Sequence, residues 1–127
     1  LMQNTSLEQN SCLQLCVVGR DSFIGAGNTF TDFNILGGPL KTMNHEGQLE
    51  ATNLLILGGC VGHHCRLSSG AIIYAARTIE SDVVLLARDD RQFITKNVTY
   101  EQSDHHAHKD KYPYPRLYPR QGEAGAF

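Results

Sequence analysis

The stretch Val18-Gly19-Arg20-Asp21-Ser22-Phe23-Ile24-Gly25-Ala26-Gly27-Asn28-Thr29-Phe30 repeats a pattern every six residues, and Val61-Gly62-His63-His64-Cys65-Arg66-Leu67 takes it up again. Working outward, Cys12, Val18, Ile24, Phe30 and Leu36 form one apolar series at that spacing, and Leu55, Val61, Leu67, Ile73, Ile79 and Leu85 form a second. Neither a 3.6-residue helix nor an alternating strand has a six-residue period. A coil with three short flat sides does, because three hexads close an 18-residue turn. Residues 18 apart then stack: Cys12 on Phe30, Val18 on Leu36, Leu55 on Ile73, Val61 on Ile79, Leu67 on Leu85. One such turn cannot bury its inward face alone, so stacking has to supply the core. Four residues after most inward positions the side chain is small or turn-forming (Cys16, Ser22, Asn28, Asn34, Gly59, Cys65, Ala71), as corners at fixed intervals require.

The two series are out of phase by one residue, since Val18 and Val61 lie 43 apart. An inserted loop over 42–54 is the expected place for the shift, on the strength of its polar composition. The spacing therefore predicts one all-β domain over 1–127, with coils at about 12–41 and 55–98 and a tail over 99–127. It stands alone or as part of a longer chain. The prolines of Tyr112-Pro113-Tyr114-Pro115-Arg116-Leu117-Tyr118-Pro119-Arg120 forbid a regular helix, so the tail is extended or wrapped.

With 127 residues, 41% of them apolar, and a formal charge of −2, the chain has the make-up of one globular domain and not of a disordered acidic tail. It offers no general attraction for nucleic acid or a membrane surface, and neither is expected as a partner. No apolar run approaches the length of a membrane span, and Leu1-Met2-Gln3-Asn4-Thr5 lacks the features of a signal peptide, so a cytoplasmic address is the default expectation. The four cysteines are too few for a disulfide scaffold and read as reduced.

The pattern Val18-Gly19-x-x-Ser22-x, Ile24-Gly25-x-x-Asn28-x, Val61-Gly62-x-x-Cys65-x resembles the hexapeptide-repeat superfamily. The likeness covers about half the chain, and Phe93-Ile94-Thr95-Lys96-Asn97-Val98 is similar to the segment that often closes the last coil in its acetyltransferases. The resemblance implies a left-handed parallel β-helix of about 3–4 coils, a homotrimer, and one of two uses. The first is acyl transfer from acetyl-CoA or an acyl-carrier thioester, as co-substrate and not a permanently bound cofactor, to a sugar-like small-molecule acceptor. The second is a non-catalytic trimerising or supporting domain, like the β-helices of sugar-phosphate nucleotidyltransferases.

On the resemblance, His63 falls on the family's catalytic histidine, in Gly62-His63-His64-Cys65-Arg66-Leu67. An imidazole suits the removal of a proton from an attacking hydroxyl or amine, because it titrates near neutrality. His64 stands where the family usually has aspartate. The orienting carboxylate must then come from Glu80, Asp82 or a neighbouring subunit. The plainer reading makes His63 and His64 polar residues of an exposed corner, and Glu80 is likewise read as solvent-facing. His45, in the inserted loop, is a third candidate, because such loops reach across subunit grooves; its plain reading is a solvated loop residue. Cys60, His63, His64 and Cys65, and separately His105, His106 and His108, are metal-ligand types. Cys65, at an inward position, should point away from the histidines, so no metal is expected.

Overall fold

A computed structural model describes residues 1–123; residues 124–127, the end of the expected tail, lie outside the described residues. The chain is all-β with parallel sheets. β1 (Ser6–Leu7), β2 (Cys12–Leu13) and β3 (Val17–Val18) lie on three different sheets. β4 (Phe23–Ile24) returns to the first sheet and β5 (Thr29–Phe30) to the second. There the chain leaves to form an antiparallel hairpin of β6 (Lys41–Met43) and β7 (Leu49–Ala51). It rejoins the third sheet at β8 (Cys60–Val61), then continues through β9 (Arg66–Leu67), β10 (Ile72–Ile73), β11 (Thr78–Ile79), β12 (Val84–Leu85) and β13 (Phe93–Ile94). An isolated parallel bridge from Val98 to Ile79 supplies the third side of the last turn. No helix among the described residues is long and apolar enough to cross a membrane.

Each strand of the parallel sheets is two residues long, and its second residue faces inward. The core is accordingly three columns: Leu7, Ile24, Leu67, Leu85; Leu13, Phe30, Ile73, Ile94; and Val18, Val61, Ile79, Val98. From Val18 onward every one of these is at most 8% exposed. Corners hold side chains that satisfy backbone groups. Asn28, fully buried, donates to the carbonyls of Gly25 (2.7 Å) and Ser68 (2.8 Å) and accepts from the Ala71 N–H (2.9 Å). Ser22 accepts from the Cys65 N–H and donates to the Gly62 carbonyl. A buried amide with every partner met adds stability, where one left unmet would cost it.

Three expected stacks are corrected. Cys12 is exposed, and Leu13 is the residue paired with Phe30, because the side from Leu13 to Val18 is one residue short and turns through Leu15 at φ 46°. Leu36 and Leu55, 92% and 60% exposed, are not inward at all. Val18 stacks on Val61 and Phe30 on Ile73. The chain departs after Phe30 and returns at Cys60, so the insertion is wider than 42–54, and the coils span 6–30 and 60–98 instead of 12–41 and 55–98. Its base is closed by a Phe33–Ile56 bridge and its far end by Asn44, whose side-chain oxygen accepts from the N–H groups of Glu46 and Gln48. The last turn is also irregular, with nine residues from Leu85 to Ile94. Beyond it, Tyr100–Gln102 and Asp104–His108 form 3-10 turns. Side-chain oxygens of Ser103 and Asp104 accept from Val84 and Leu86 N–H, capping the exposed edge of β12.

Val61→Asp and Cys12→Asp discriminate this register, in which Cys12 is exposed, from simple hexad spacing. The first places an unpaired carboxylate in a closed column and should cost about 3–5 kcal/mol, the second a few tenths at an exposed site. Urea denaturation of the two variants checks this, and equal losses would reject the register.

Candidate functional site

The corner between the third and first sheets stacks residues 19–22, 62–65 and 80–83. One position in it is left-handed in every turn: Asn4, Asp21, His64 and Asp82 have φ of 56°, 58°, 54° and 63°. Asn and Asp tolerate this conformation better than other side chains with a Cβ. Gly62 precedes because a Cβ there would lie 2.5 Å from the Ser81 backbone nitrogen.

His64 and Asp82, one turn apart, pair through Nδ1 and Oδ1 at 2.7 Å. Asp82 is fully buried, and its carboxylate also accepts the N–H groups of Leu117 (2.9 Å) and Tyr118 (2.7 Å). The segment 113–120 is thereby strapped along the corner. Tyr114 stacks face to face on the His64 ring, with centroids 4.3 Å apart and planes 2° from parallel, and its hydroxyl donates to the His64 carbonyl. Burial holds the Tyr114 phenol above its usual range. Tyr118 donates to Asp21 Oδ2 (3.1 Å) and lies against His63, with ring centroids 4.8 Å apart. Arg120 pairs with Glu80 and Glu101, and its hydrogen bonds lower the Glu101 carboxyl to about 2. Glu80 is therefore not a plain solvent-facing residue, because it also accepts the Tyr100 N–H at 2.7 Å.

His63 is held differently. Its N–H donates to Ser81 Oγ (2.9 Å), and its ring Nδ1 accepts the Arg20 backbone N–H at 3.0 Å. A backbone N–H can only donate, so the neutral ring keeps its lone pair on Nδ1 and its proton on Nε2. His63 thus offers a hydrogen-bond donor to the neighbouring groove. That groove, about 530 Å³, is lined by His63, Glu80, Ser81, Tyr118, Arg120 and Gln121. Of the carboxylates expected near His63, Asp82 binds His64 and Glu80 binds Arg120.

His45 sits at the far end of the hairpin with its side chain 90% exposed, 3.8 Å from Glu46, and the structure does not bring it to the histidine corner. Cys65 points into the core, where burial pushes its thiol up to about 12, while Cys60 faces outward, so neither converges with the imidazoles. Among the described residues no cluster of His, Cys, Asp and Glu is arranged to hold a metal ion. A second hollow, about 400 Å³, opens where the last turn widens, but its Arg88 and Arg91 are paired with Asp104. Asp82 as the partner of His64 follows from the 18-residue offset. The roles of Tyr114 and Tyr118 had no comparable signal beyond their alternation with proline.

No family model and no curated protein matches the chain.

Long-range nitrogen NMR of the histidines should find His63 as the Nε2–H tautomer at pH 7.5; an Nδ1–H tautomer would contradict the Arg20 contact. Asp82→Ala, which leaves three N–H donors without an acceptor, should cost about 3 kcal/mol or more in thermal unfolding.

Proposed function

We propose that this chain is a left-handed parallel β-helix of the hexapeptide-repeat type, serving as a trimerising or supporting scaffold and not as an acyltransferase. The coiling hand rests on the resemblance, since it opposes the usual right-handed crossover. The hexad spacing, the parallel pairing and the small corner residues support membership. The observation that carries the scaffold reading is the Arg20 N–H bonded to His63 Nδ1. A general base needs a free lone pair facing the acceptor, and the nitrogen left to face the groove carries a proton instead. The strap over 113–120 adds to this, because Tyr118 lies against the same ring.

An assembly is favoured by what the insertion leaves bare. Phe33, Ile35, Leu36, Leu54, Leu55 and Ile56 are between 48% and 92% exposed, and apolar side chains gathered at the surface mark places where a partner docks. Closed symmetry lets identical copies cover them, and three copies around one axis suit a three-sided body.

Sedimentation equilibrium at micromolar concentration should give three times the chain mass of 14.1 kDa. Calorimetry should detect no binding of CoA, and a panel of amino sugars should yield no transfer from acetyl-CoA. A monomer would remove the trimer, and acyl transfer that falls about a hundredfold in His63→Ala would restore the enzymatic reading.

A further inference from the structure

The strap is fastened at its upstream end by a group of rings that the scaffold reading does not use. His105, only 6% exposed, lies 4.1 Å from His106, 5.5 Å from Tyr100 and 5.3 Å from Tyr114, centroid to centroid. Tyr114 in turn stacks on His64. A continuous run of rings therefore joins the 3-10 turn at Asp104–His108 to the corner column.

The hydrogen bonds around Ser103 suit a neutral His105 ring. Ser103 Oγ accepts the Val84 N–H at 2.8 Å; its own proton has a choice between His105 Nδ1 at 2.6 Å and the Val84 carbonyl at 3.4 Å. Donation to the nearer partner leaves Nδ1 of His105 as the acceptor and the ring neutral, with its proton on Nε2. His106 Nε2 donates to the Tyr100 carbonyl at 2.8 Å. A proton added to His105 would reverse the serine bond and send its hydroxyl to the distant carbonyl. It would also create a cation beside His106 and Lys109, with His64 a further cation once protonated. Asp82, the carboxylate that acts most on His105 among the described residues, already accepts from His64 and from two strap N–H groups. Asp104 is turned to Arg88 and Arg91, and Arg116 covers the far ring, Tyr100, at 4.1 Å.

We propose that the strap is a proton-released latch: acidification charges His105 within its ring cluster, and 113–120 lets go of the corner as a unit while the stacked turns stay folded. Release lifts Tyr118 from the His63 ring and takes apart the groove that strap and corner form together, so the corner has a closed state near neutrality and an open one in acid. The inference stands whether or not the corner has a chemical role. Burial, followed by the charges of His106 and Lys109, holds the His105 imidazole below its usual range. For a histidine lowered in the closed state, the stabilisation is complete above the ordinary histidine value and is lost as pH falls below it.

Hydrogen exchange of the 1–127 chain at pH 7.5 and pH 5.0, corrected for intrinsic rates, reads this directly. Amides of 113–120 should lose protection about tenfold or more at pH 5.0, while those of 60–85 keep theirs. His105→Phe keeps a ring in place but cannot charge, and its strap should stay protected at both pH values. Unchanged wild-type protection at pH 5.0, equal loss in strap and turns, or an undiminished acid response in His105→Phe would each overturn the proposal. If His105→Phe unfolds, NMR titration of the wild-type His105 ring decides. Titration in step with strap loss supports the latch, and titration without strap loss rejects it.

Discussion

A strand of two residues has no stability of its own, and everything in this molecule depends on the inward residue of one turn meeting that of the next. The three columns headed by Leu7, Leu13 and Val18 are that meeting repeated. Each contact is modest, but each also closes a parallel backbone ladder whose N–H and C=O groups would otherwise lie unpaired against an apolar interior. This is why corners matter as much as sides. Asn28 and Ser22 return hydrogen bonds to their own turn and to the next, and the left-handed positions at Asp21, His64 and Asp82 let the chain bend where a helix or longer strand would carry on.

The same constraint explains what could be read from the residues alone. Val18, Ile24, Phe30, Val61, Leu67, Ile73, Ile79 and Leu85 all fall inward, because a column tolerates only apolar side chains at a fixed interval. Leu36 and Leu55 share the interval but not the environment. Leu36 follows a departure at Phe30, and Gly37 and Gly38, with φ of 85° and 92°, belong to a loop. Spacing records what a turn would need, not whether the chain is still in one. Cys12 failed for a subtler reason: one side is a residue short, and a single-residue slip exchanges inward for outward.

At the corner, the chemistry-bearing residues were visible and their pairing was visible only in part. The 18-residue offset puts Asp82 against His64, which the stacking rule contains. What it does not contain is the tail. Tyr114, Leu117 and Tyr118 reach the corner from 32 or more residues downstream of Asp82, through contacts that no period encodes. Nor can composition tell which nitrogen of His63 keeps its lone pair; that is decided by the Arg20 N–H, a backbone group invisible in a motif. That contact leaves Nε2 as the protonated nitrogen of the neutral His63 ring.

The claim on which the rest stands is the register of the columns across the insertion. Nuclear Overhauser contacts from the Phe30 ring test it most directly in a methyl-labelled sample. The account predicts cross-peaks from Phe30 to the methyls of Leu13 and Ile73, and from Val18 to Val61. Cross-peaks joining Leu55 to Ile73 or Val18 to Leu36 in their place would contradict it.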